Sequence, residues 1–126
     1  MKNIIDKIKH NGGFINAHSH IDRANTFSYF SKQEQYFFLK DKWKLVDRIK
    51  TQSSISDYKT RMIKCIEDQK KFGVTALLSF IDIDDMAGFR AIDAAVEIRE
   101  EQDFNFKIAC QTLKGVLDPK FEMMIE

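Results

Sequence analysis

The chain is 126 residues long, 44% hydrophobic and 31% charged, enough apolar content for a packed core of one domain or part of a larger one. Twenty basic residues face nineteen acidic ones, so the formal net charge is only +1, and the signs alternate along the chain instead of gathering in blocks. That balance gives no electrostatic case for nucleic acid or an anionic membrane surface.

The N-terminal stretch Met1 to Lys7 is too charged for a signal peptide, and no apolar run approaches the ~18–20 residues of a membrane span. Cys65 and Cys110 match no zinc or redox spacing, and both stand among apolar neighbours. Buried free thiols in a reducing, cytoplasmic compartment are the expectation.

A short helix is expected over 4–9, broken by Asn11-Gly12-Gly13. Phe14 to Ala17 is brief, apolar and turn-bounded, as a buried strand is, and it runs directly into His18-Ser19-His20-Ile21-Asp22-Arg23. Residues 31–50 look helical, with Tyr36, Phe37, Phe38, Leu39, Trp43, Val46 and Ile49 as the apolar content. After a polar break at 51–54, a second helix is expected with Ser56 as its N-cap and Asp57 in its first turn. Tyr58, Met62, Cys65, Ile66, Gln69 and Phe72 recur at helical spacing, and Gly73 closes that helix.

Residues 74–81 form a nearly continuous apolar run, the pattern of a strand in a parallel sheet. A third helix is expected over 87–101 and a third strand over 105–111. A loop through Gly115 and Pro119 then leads to an apolar, acidic tail that looks like the start of another helix. Strands alternating with helices in this order mean an α/β fold with a parallel sheet and right-handed crossovers.

His18 and His20 are two of three histidines in the chain. At spacing i, i+2 on a strand both rings face one side, and the carboxyl end of a parallel strand is where α/β enzymes place their sites. Together they either share a cation or are simply two satisfied or exposed histidines, since a lone pair does not hold a metal. The block Gly13-Phe14-Ile15-Asn16-Ala17-His18-Ser19-His20-Ile21-Asp22-Arg23 resembles the first-strand signature of the amidohydrolase superfamily, nearest its cytosine deaminase-like branch. Looser likeness runs through Phe72-Gly73-Val74-Thr75, Ile81-Asp82-Ile83-Asp84 and Lys114-Gly115-Val116.

The resemblance implies a partial TIM-type (β/α)8 barrel comprising about the first three β/α units. It also implies a divalent metal, zinc first and iron or manganese next, with His18 and His20 as two of its ligands. Water activated by that metal would attack a C–N bond of a cyclic amide, amidine or nucleobase-like small molecule. The family's later histidines and its last aspartate have no counterpart here, and His10 precedes the first strand. The isolated chain is therefore expected to be inactive.

Three further residues are candidates. Asp22 either orients a ligand through a hydrogen bond or closes an Asx-type turn. Asp82 either lines the mouth or serves, with Asp84 and Asp85, as a helix N-cap or first-turn acid. Lys114 either reaches the mouth, for a substrate carboxylate or as a carbamylated bridge, or is a solvated loop lysine. Two positions depart from the branch: Phe80 stands where it often carries a histidine, and Leu113 where a glutamine contacts the pyrimidine. Three strands cannot close a barrel of ~250 residues. The open edge after Gln111 therefore predicts either a homo-oligomer or pairing with the missing C-terminal half. The alternative function is a non-catalytic α/β remnant that self-associates or binds a partner. A nucleotide-binding α/β domain is disfavoured, since no glycine-rich phosphate loop follows the first strand.

Overall fold

A computed structural model describes residues 2–36 and 38–112. Lys114, Leu113 and the expected tail helix lie outside these residues. Helix α1 spans Lys2–His10 and is followed by strand β1, Phe14–Ser19; helices α2, Leu39–Gln52, and α3, Ile55–Lys71, lead to strand β2, Val74–Asp82. Helix α4, Arg90–Glu101, connects β2 to strand β3, Asn105–Gln111. The strands are parallel and lie in the order β1-β2-β3. The chain is thus α/β, as its alternation of apolar runs and helical periods implies.

Leu77, Ile81 and Phe106 of the sheet pack on Tyr58, Met62 and Ile66 of α3 and on Ala91, Ala94, Ala95 and Ile98 of α4. The alanines on α4 let that helix lie close to the strands. Residues of the opposite sheet face stay half-buried or exposed: Ile15 is 73% exposed, and Ala76, Leu78 and Phe80 are only partly covered. Parallel sheets ordinarily have both faces covered. Among the described residues, no helix is long and apolar enough to cross a membrane.

Several local expectations need correction. The helix expected over 31–50 begins only at Leu39, after single 3-10 turns at Phe27–Tyr29 and Glu34–Tyr36. Ser31 and Glu34 exchange hydrogen bonds, the Ser31 N–H donating to Glu34 Oε2 and the Glu34 N–H to Ser31 Oγ, which closes one turn and stops there. Phe38, Leu39 and Trp43 are exposed, so the apolar face of α2 is carried by Leu45 and Ile49.

The N-cap of α3 is Ser54, not Ser56. Its hydroxyl accepts from the Asp57 N–H while the Asp57 carboxylate takes the Ser54 N–H, a reciprocal capping box. Phe72, expected on the buried face of α3, is 65% exposed just beyond its end. Helix α4 starts at Arg90, because Asp84 Oδ1 accepts the N–H groups of Met86 and Ala87 and holds that stretch as a turn. Both cysteines are free; Cys65 is half-buried, but Cys110, on β3, is exposed.

Candidate functional site at the carboxyl ends of the strands

The glycine break before β1 is sterically required. Gly13 has φ +77°, and a Cβ there would sit 2.2 Å from Thr75 Cγ2. Strand β1 pairs with β2 irregularly, its register shifting between Phe14 and Ile15 and again between Asn16 and Ser19. Ser79 repairs the irregular stretch: its hydroxyl accepts the Ile21 N–H at 3.0 Å and donates to the Ser19 carbonyl at 3.2 Å. A side chain of β2 thereby fixes the backbone that carries both histidines.

His18 and His20 meet as their spacing implies. Their Nε2 atoms are 3.3 Å apart and their ring centroids 5.3 Å apart, with the Phe80 ring 4.9 and 5.8 Å from the two imidazoles. His18 is exposed and His20 half-buried. Burial, then the Arg23 charge and the His18 ring, hold His20 below the ordinary imidazole range.

Two nitrogens bound to one tetrahedral zinc at ~2.0–2.1 Å lie about 3.4 Å apart. The observed separation therefore fits a shared cation. Among the described residues no three His, Cys, Asp or Glu side chains are grouped to hold a metal, so an ion at this pair would find two ligands there.

Asp82 is not a helix cap. It is fully buried at the end of β2, where Arg23 donates to both of its oxygens (Nε to Oδ2 at 2.9 Å, Nη2 to Oδ1 at 2.5 Å). Lys50 Nζ of α2 lies 2.6 Å from Oδ2, and Gln111 of β3 donates to Oδ1 at 2.7 Å. Burial alone would raise its pKa, but the hydrogen bonds from Arg23, Lys50 and Gln111 outweigh it and hold the carboxyl below its usual range. Lys50 also bridges to Asp84 at 2.5 Å, so one buried ammonium serves two carboxylates.

Asp22 is buried too, in the 3-10 turn Ile21–Arg23. Its Oδ2 accepts the Asp82 N–H at 3.2 Å, which ties the turn after β1 to the end of β2. Burial first, and the neighbouring Asp82 charge second, push its carboxyl up to about 6. The structure thus brings four of the expected residues, His18, His20, Asp22 and Asp82, to one end of the sheet. Asp22 orients the β2 end and does not touch either histidine ring.

Sequence reading missed Lys50, Arg23, Ser79 and Gln111. The only signal for Gln111 was its place at the end of a strand; Lys50 looked like one more solvated charge on a helix.

No family model matches the chain. The chain is similar to an uncharacterized protein of Haemophilus influenzae, 44% identical over 124 residues that take in 92% of this chain. The match covers 43% of that relative, so the chain spans less than half the length of the protein it resembles.

Proposed function

We propose that this chain is the first part of a metal-dependent hydrolase barrel, with His18 and His20 holding a divalent cation, zinc in the first instance. One observation carries the reading: two imidazole nitrogens, 3.3 Å apart, at the carboxyl end of a parallel strand. When bound, the metal would supply hydroxide near neutral pH for attack on a C–N bond of a small cyclic amide, amidine or nucleobase-like molecule. The chain's own contribution is to set the two nitrogens at a cation's bite, with the Phe80 ring packed against both imidazoles.

Topology favours a closing barrel over an open doubly wound sheet. Strand order 1-2-3 means each crossover advances in the same direction, and right-handed crossovers then stack every helix on the same face. An open doubly wound sheet reverses direction and covers both faces. The bare face bearing Ile15, Leu78 and Phe80 is the one a barrel interior would enclose. Covering 92% of 126 residues with 43% of the relative puts the relative at roughly 270 residues. A (β/α)8 barrel needs ~250.

Isothermal titration with zinc tests the reading. One ion per chain, lost in both His18→Ala and His20→Ala, is expected, without hydrolytic turnover by the 126-residue chain itself. Unchanged zinc uptake in the double variant would refute the site. Self-association through the bare face and open edges is the second reading. It predicts sedimentation as an oligomer that survives loss of both histidines.

A further inference from the structure

We infer that Gln111 is a positioning residue that selects the tautomer of His20 and must withdraw before His20 Nε2 can accept a cation. The second half of this inference rests on the metal reading above; the first half does not.

Asp82 anchors the arrangement at its buried end. Its carboxylate takes both Arg23 hydrogen bonds and the Lys50 ammonium, two cations that favour its ionised form, so it accepts hydrogen bonds. The Gln111 group facing it at 2.7 Å is therefore the amide NH2 and not the amide oxygen. The same nitrogen lies 3.2 Å from His20 Nδ1. One amide hydrogen goes to the carboxylate, and the other points at the imidazole.

His20 Nδ1 must then present its lone pair, which places the proton of the neutral ring on Nε2. That Nε2–H faces His18 Nε2 at 3.3 Å, and His18 accepts. The chain Asp82, Gln111, His20, His18 is thus a directed relay of donors, with every polarity set by the charge at its buried end.

A cation needs the opposite tautomer. With Nε2 as a ligand, the proton moves to Nδ1 and meets the Gln111 NH2 donor to donor. Rotating the amide by half a turn relieves that clash but sets its oxygen against the Asp82 carboxylate. The relay therefore opposes metal entry through the fixed charge of Asp82, and uptake requires the Gln111 side chain to move aside.

Gln111→Glu removes the donor and supplies an acceptor for Nδ1–H. Gln111→Met keeps the length but neither donates nor accepts, and it guards against a fold-level effect of the added charge. Long-range 1H–15N correlation spectra at about pH 8, where imidazoles are neutral, report the tautomer of each histidine directly. Metal-free wild type is expected to show His20 protonated on Nε2, Gln111→Glu to show it protonated on Nδ1, and Gln111→Met to show a mixture. Zinc affinity should rise in Gln111→Glu by about tenfold or more, the scale on which partners of a metal-binding histidine act. A wild-type His20 protonated on Nδ1, or a Gln111→Glu spectrum identical to wild type, overturns the inference. If the tautomers behave as stated and no variant takes up zinc, the selection of the tautomer by Gln111 stands and the metal reading falls.

Discussion

Replacing Lys50 by Met isolates the energetics of the buried ion network. Lys50 is 3% exposed and its ammonium lies 2.6 Å from Asp82 Oδ2 and 2.5 Å from Asp84 Oδ2. Methionine fills nearly the same volume, so the change removes charge without opening a large cavity. Asp82 keeps Arg23 and Gln111, but among the described residues Asp84 loses the only ion-pair partner it has in the structure. Breaking a buried pair from one side costs about 3–5 kcal/mol, because the remaining charge stays desolvated.

Against a domain stability of about 5–15 kcal/mol, that loss moves a urea midpoint far to the left at unchanged slope. The companion variant Lys50→Met/Asp84→Asn removes the orphaned carboxylate and should recover at least 1 kcal/mol or so of the deficit. A single-variant loss below about 1 kcal/mol, with no recovery in the double variant, would show that Lys50 behaves as a surface charge and that the network has been misread.

Two further outcomes follow from groups on either side of β1. Asp22 titrates at about 6 in the fold against an ordinary 3.8, so its protonated form is favoured by folding. Its contribution is complete below pH 3.8 and is lost as pH rises through about 6, a swing of up to about 3 kcal/mol. Asp82, with its pKa lowered, works in the opposite sense and loses its contribution on acidification. Asp22→Asn should therefore flatten the decline between about pH 4 and pH 6 and stabilise the neutral protein, as urea titrations at several pH values will show; a less stable variant at neutral pH would refute the assignment. At the other end of β1, Gly13→Ala should cost more than ~2 kcal/mol, through the positive φ and the clash with Thr75. Gly12→Ala, whose Cβ would meet nothing within 4 Å, should cost only the backbone strain, and equal losses at the two sites would remove the clash from the account.

What could be read from residues alone follows the range of the interactions involved. Strands β1, β2 and β3 announce themselves because short apolar runs bounded by turns have few other solutions in an α/β chain. The two histidines come together because a period of two residues is local geometry, even across the register shift that follows Asn16. The cap of α3 was also within reach: Ser54 and Asp57 stand at the spacing of a capping box, which Ser56 does not satisfy.

The ion network was out of reach for a different reason. Lys50 precedes Asp82 by 32 positions and Gln111 follows it by 29, and no periodicity links a helix end to the ends of two strands. The register that sets Gln111 beside Asp82 is a property of the assembled sheet. The start of α2 was lost because Tyr36, Phe37, Phe38 and Leu39 are consecutive, and consecutive apolar residues carry hydrophobicity without a helical phase.

The order of the strands bears on how the protein is made. Each strand of this sheet lies beside the one that precedes it in the chain, and the intervening helix needs no later segment to find its place. On the ribosome, where residues emerge at about 5–20 per second, β1 and β2 can pair over α3 before β3 has been synthesised. β3 then docks on an edge already formed. The histidine pair, anchored through Ser79 of β2, is consequently assembled once β1 and β2 have paired, before β3 docks.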